Sequence, residues 1–203
     1  MKIAVIGAAG NAGSRVVREA LSRGHVVTAI GPHLEKLETL KGVKAAAGDV
    51  TRPAELAEIL SGHDVVVSAV RFTKYDPDDL LASVSRSDAK RLVVVGGAGT
   101  LNTTAGIPLA DSPTFPEVAR PEAAAGKRVL DRLRVESDVD WVFISPSAMF
   151  APGERLGLYR TGGDDLLVGE DGSSGISMED YAIALLDEIE APRHIRTRFT
   201  VGY

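Results

Sequence analysis

The chain opens MKIAVIGAAGNAG. An apolar run, Ile3 to Ile6, meets glycines at Gly7, Gly10 and Gly13, and a helix-like pattern follows. A strand that breaks into a glycine turn and then a helix admits few architectures. Gly7 permits the tight turn. Gly10 lets the backbone approach a ligand because no Cβ intervenes, and Gly13 lets the helix pack close to the strand. The unpaired N–H groups and positive dipole end at the start of that helix suit a pyrophosphate. The spacing is G-x-x-G-x-x-G rather than G-x-G-x-x-G. Glycine triplets have many uses, and it is the strand before and the helix after that give this one its meaning.

Strands and helices alternate beyond it. Lys2–Ile6 reads as a strand and Ala12–Arg23 as a helix ended by Gly24, with Val16, Val17, Ala20 and Leu21 on one face. Then come a strand at His25–Ile30, a short helix at Leu34–Leu40 and a strand at Val43–Ala47. Pro53–Leu60 reads as a helix with Thr51 as its N-cap. Asp64–Val70 and Arg91–Val95 are apolar on both faces, as buried parallel strands are, and a helix at Pro77–Ser87 separates them. Gly99–Ala119 has three prolines and no periodicity, and a loop of that length is usually functional. A helix at Pro121–Glu136 and a strand at Trp141–Ser145 follow. Next, Glu170-Asp171-Gly172 suggests a hairpin between Leu166–Val168 and Gly175–Ile176. Ser177 and Asp180 form a capping box for the last helix, and Arg198–Val201 is a terminal strand. The expected fold is α/β: a Rossmann-like doubly wound parallel sheet with helices on both faces. Residues 1–203 are expected to form a single domain, with 149–177 an insert over the strand ends on the substrate side.

Net charge −5 argues against a nucleic-acid surface, and the absence of cysteine excludes disulfides and thiol chemistry. No apolar segment reaches spanning length and the start does not resemble a signal peptide, so a cytoplasmic protein, without membrane or nucleic-acid partners, is expected. The four histidines show no ligand spacing, and Asp76, Asp78 and Asp79 read as a solvated helix start, so no metal is expected.

Ligands of an open parallel sheet bind outside the carboxyl ends of its strands. That rule selects Gly7–Gly13, Gly31–His33, Asp49-Val50, Ser68–Arg71, Gly96–Thr100 and Ser145–Phe150, which together could outline a dinucleotide. Asp49 either accepts from the adenine amino group or merely flanks the next helix. Ser68, Ala69 and Val70 would lie beside the nicotinamide ribose. An acid after the second strand would hold a ribose 2′-OH and an arginine a 2′-phosphate. Gly31-Pro32-His33 is neither, and His33 and Lys36 offer only weak positive character, so the choice between NAD and NADP stays open. The Tyr-x-x-x-Lys pair of common short-chain dehydrogenases is absent: Ala123 stands four residues before Lys127. Thr100 is the candidate catalytic hydroxyl, and Arg71, Phe150 and Tyr159 are candidate pocket residues.

The stretches IAVIGAAGNAGSRVVREALSRGHVVTAI, VVVSAV, VVVGGAGTL, WVFISPSAMFAPGERLGLYR, ISMEDYAIALLDEIE and RFTVGY resemble the NADH-flavin reductase group of atypical short-chain dehydrogenase relatives. That group belongs with the NmrA-like and biliverdin-reductase-B-like NAD(P)-binding proteins, and its members commonly carry Arg-Asn where this chain has Pro32-His33. The resemblance implies NAD(P)H as cofactor, with contacts from Gly7, Ala9, Gly10, Asn11, Ala12, Gly13, Asp49, Val50, Ser68, Ala69, Gly97, Ser145 and Pro146. It implies an oxidoreductase that passes hydride to a flavin or similar flat conjugated acceptor, with the flavin a substrate rather than a bound prosthetic group. The missing Tyr–Lys pair fits, since flavin reduction spreads charge over the ring where ketone reduction needs a nearby proton donor. A non-catalytic NmrA-like redox sensor is the alternative, and an epimerase or dehydratase the third reading. A small-molecule acceptor and a monomer or homodimer are expected.

Overall fold

The computed structural model describes every residue except Lys90. Seven strands run parallel: β1 (Lys2–Ile6), β2 (Val26–Gly31), β3 (Lys44–Ala47), β4 (Val65–Ser68), β5 (Arg91–Val95), β6 (Asp140–Pro146) and, after three short strands, β10 (Thr197–Gly202). The three short ones are β7 (Met149–Ala151), β8 (Arg160–Gly162) and β9 (Gly175–Ser177). The sheet order is β3-β2-β1-β4-β5-β6-β10-β8, with β8 antiparallel on the edge. The chain therefore reverses its winding between β1 and β4, and the crevice at their carboxyl ends is the topological switch point.

Alternate residues of each strand feed two cores, as the pleat requires. Ile3, Val5, Val67, Val93 and Ile144 pack under α1 (Asn11–Ser22) and α6 (Met178–Glu190). Ala4, Ile6, Val66, Val94 and Phe143 pack under α3 (Pro53–Leu60), α4 (Pro77–Arg86) and α5 (Arg120–Arg134). Burial on both faces is why these strands read as unbroken apolar runs.

Local differences from expectation have local causes. The helix after β2, α2, covers only Leu34–Leu37, because the Thr39 hydroxyl takes the Lys36 carbonyl at 2.7 Å and the chain turns away. Thr51 does not cap α3: its amide and hydroxyl are held at 2.9 and 2.8 Å by the Asp49 carboxylate, and Arg52 is the capping residue. The turn at Gly169–Gly172 is present, but it joins no hairpin. Gly175–Ser177 pairs parallel with Met149–Ala151 instead. The capping box of α6 is half formed: the Ser177 hydroxyl accepts from the Asp180 amide at 3.0 Å. The buried Asp180 carboxylate does not return the bond but accepts from the amides of Leu156 and Gly157 and from the Tyr203 hydroxyl, pinning the 149–177 segment to α6. No helix among the described residues is long and apolar enough to cross a membrane.

Candidate functional site

The carboxyl edge of the sheet begins with the glycine turn. Gly7 has φ +81° and donates to the Ile30 carbonyl at 2.9 Å; a Cβ there would stand 2.7 Å from the Ala69 carbonyl oxygen. A Cβ on Gly13 would stand 2.2 Å from the Gly7 carbonyl oxygen, so only glycine lets α1 sit this close to β1. Gly10 is the exposed N-cap of α1, and no side chain caps that end. The first helical bond runs from Ser14 to Gly10, and the first turn holds no acid. The amides of Asn11, Ala12 and Gly13 are thus left without a helical partner beside the positive dipole end, with Asn11 and Ala9 exposed at the rim. This is an anion cradle built from backbone.

The neighbouring strand ends line up with it. Ile6 is in register with Ser68, and Ala69 donates to the Ile6 carbonyl at 2.8 Å. Ser68 is buried and its hydroxyl has no partner. Val70 is half-buried, and exposed Arg71 lies 3.6 Å from Glu122. Exposed His33 stands at the start of α2 with Nδ1 3.6 Å from Glu35. Asp49 is exposed, and the Thr51 bonds hold its carboxyl below the usual range. Val50 is buried in the core beneath α3. Ser145 is fully buried, and its hydroxyl accepts from Arg198 at 3.4 Å; Pro146 ends β6 beside it.

Two pocket residues lie elsewhere. Tyr159 donates to Asp187, which also pairs with Arg23 just beyond α1. It therefore lies at the end of α1 opposite the cradle, roughly 18 Å away along the helix. Burial and then Asp187 push its hydroxyl up to about 12, so it is a neutral donor there. Phe150 packs on Tyr181, with ring centroids 4.8 Å apart.

Past the ends of β4 and β5 an apolar slot of about 240 Å³ opens between Gly97–Thr100 and α5. Phe72 and Phe143, stacked with centroids 5.8 Å apart, line it. Gly126 lets the Phe72 ring seat against α5, since a Cβ there would come within 2.9 Å of it. Glu122, in the first turn of α5, fixes the turn after β4 by accepting from the Phe72 amide at 2.6 Å and the Thr73 hydroxyl at 2.8 Å. The Thr100 hydroxyl oxygen is buried, unpartnered and in the slot's wall. Tyr75 lies under the same region with its hydroxyl beside that of Ser68, and neither has any further partner. Burial holds that phenol well above its ordinary range; the neighbouring Ser68 hydroxyl opposes the shift and the Glu122 charge adds to it. Buried polar groups without partners are rare. Those of Ser68, Tyr75 and Thr100 gather at one edge.

Glu122, Tyr75 and the two phenylalanines carry no motif. Glu122 reads in the sequence as an ordinary acid in a helix's first turn, and Tyr75 as a loop residue; only the packing of α5 over β4 joins them.

The NAD(P)H-binding family matches residues 7–192. The uncharacterized protein YwnB of Bacillus subtilis is 40% identical over 215 aligned positions, covering 99% of this chain and 98% of that one. A solved Bacteroides thetaiotaomicron structure, provisionally named an epimerase, superposes with TM-score 0.92 at 41% identity, covering 100% of this chain and 96% of that one. One from Streptococcus pneumoniae, provisionally named an NADH-flavin reductase, superposes with TM-score 0.86 at 36% identity, covering 100% and 99%.

Proposed function

The chain belongs to the NAD(P)H-binding family, and from that premise we propose that it is a cytoplasmic reductase passing hydride from NADH or NADPH to a flat conjugated acceptor, a flavin being the first candidate. The observation that carries the reading is the open apolar slot beside Gly97–Thr100. A sensor that only reads the cofactor has no need of one.

The residues suit a dinucleotide laid along the strand ends. Asn11, Ala12 and Gly13 would hold the pyrophosphate through backbone amides, while Gly7, Ala9 and Gly10, with the Gly7 and Gly10 amides spent inside the turn, would border it. His33 and Asp49 would border the adenosine half, with buried Val50 packed beneath it. Ser68, Ala69, Val70, Gly97, Ser145 and Pro146 would border the nicotinamide half, where the free Ser68 hydroxyl offers a donor. When bound, the reduced nicotinamide supplies the hydride. Phe72 and Phe143, buried and stacked on each other, would form the apolar floor that shapes the slot and excludes water, and the Thr100 hydroxyl would donate to the acceptor's polar edge. The epimerase name of the B. thetaiotaomicron relative is not carried over, because Ala123 stands where the tyrosine of that chemistry would be.

The purified protein should oxidise NADH or NADPH when FMN, FAD, riboflavin or a quinone is added. No oxidation of either nucleotide above background at saturating acceptor overturns the reading. Thr100→Val should lower kcat/KM by about two- to tenfold, the worth of one neutral hydrogen bond, with unchanged dinucleotide affinity. Calorimetric titration with both cofactors decides their ranking.

A further inference from the structure

We propose that a second cavity beside the slot binds the anionic arm, a phosphate or carboxylate on a flexible tail, of the acceptor whose flat body the slot takes. The inference rests on the reductase reading for what fills the slot. The cavity measures about 480 Å³ against about 240 Å³ for the slot, and the two share Gly99, Thr100 and Ala123 as walls. Gly99 packs directly on α5 in that shared wall: its Cβ position is 2.7 Å from the Ala123 Cβ, so a larger residue at either place would push the loop off the helix. The buried, unpartnered Thr100 hydroxyl lies in that shared wall, where a polar linker crossing from one cavity to the other would meet it.

The charges in the second cavity run against those of the molecule. The chain carries −5 overall, yet Arg120, Lys127, Arg134 and Arg198 line this wall against Asp111, Asp131 and Asp164. Arg198 is consumed: its side chain is 3% exposed and is held by Asp164 and Ser145. Arg120 is consumed by Glu117 and the Ala110 carbonyl, each at 2.7 Å. Lys127 and Arg134 differ. They lie two turns apart on one face of α5 and share Asp131, at 2.5 and 3.5 Å, with Asp164 a looser second partner of Arg134 at 3.9 Å. With three and five donors they keep most of their hydrogen-bonding capacity free, and both remain solvent-accessible for an incoming anion. Helical pairs of this kind on a plain surface would be only a solvated face. Here they border a cavity that shares a wall with an apolar slot.

FMN and riboflavin share one ring system and differ by a terminal phosphate, so they are the probes. Dissociation constants come from quenching of flavin fluorescence, and KM from nucleotide oxidation. The expected result is FMN bound about fivefold more tightly than riboflavin at low ionic strength, the upper end for a solvent-accessible ion pair, with the ratio shrinking as salt is added. The double variant Lys127→Gln, Arg134→Gln should bring the ratio close to one, and Lys127→Gln alone should give part of that change. Equal affinities in the wild type, no binding of either flavin, or a double variant that weakens both flavins alike would overturn the proposal. Discrimination in binding without nucleotide oxidation would support this subsite and sink the reductase reading. Equal turnover of both flavins would do the reverse.

Discussion

Gly13→Ala is expected to lower stability by about 2 kcal/mol and the melting temperature by about 4–8 °C, although alanine is the better helix former by about 1 kcal/mol. The new Cβ would lie 2.2 Å from the Gly7 carbonyl oxygen and 3.1 Å from the Ala8 Cα. Both are backbone atoms, so no rotamer change relieves the clash and the start of α1 must move away from β1. The amides of Asn11 and Ala12 move with it, and hydrogen bonds to a charged group contribute about 1.5–3 kcal/mol each. Dinucleotide affinity should therefore fall at least about tenfold. Gly24→Ala is the control. Gly24 has φ +81° with nothing within 4 Å of its Cβ position, so it pays only left-handed strain of about 1 kcal/mol and keeps cofactor affinity. Thermal melts and titrations on the two variants check this. A Gly13→Ala protein that melts and binds like wild type would show that the cradle is looser than its geometry.

Glu188→Gln is expected to cost about 3 kcal/mol, with a fall in melting temperature of about 6–12 °C. The Glu188 side chain is 4% exposed. It accepts from Arg91 at 2.6 Å, from the amides of Arg193 and His194 at 3.1 and 3.0 Å, and from the His194 ring at 2.7 Å. That ring in turn stacks on Phe199 with centroids 4.1 Å apart. One carboxylate thus ties the start of β5 to the connection between α6 and β10, and removing its charge leaves the Arg91 guanidinium buried and uncompensated. Burial alone would raise the carboxyl, but the His194 ring, the two amides and Arg91 together outweigh it and hold the group below its ordinary 4.5. A depressed folded value means stabilisation that is complete above the unfolded value and is lost as pH falls through the folded one. The stability difference between wild type and variant should therefore be full near neutrality and close below about pH 4.5. Equal denaturation midpoints for the two proteins at pH 7 would contradict this account.

Much of this architecture is legible in single residues. The β4 and β5 runs are apolar on both faces because helices cover both faces, and that burial is written in composition. Gly13 is readable because its contact, the Gly7 carbonyl, lies six residues away, and Gly7 because the turn itself needs a positive φ. The short strands of the 149–177 segment are not readable. Three residues carry too little alternation to show a face, and the partner of Gly175–Ser177 lies across a loop rather than across the turn at Gly172. Tyr159 looks like a pocket residue until Asp187 draws it to the far end of α6.

Periodicity and glycine spacing, which are local properties of the chain, already determined the sheet, its parallel winding and the position of the anion cradle. The slot and the cationic cavity depended on long-range packing. Arg198 reads as an exposed strand residue until Asp164 closes over it, and Glu122 as a helix-start acid until Phe72 and Thr73 reach it. A cavity is the space left between elements distant in sequence, and its shape and charge exist only once those elements have met.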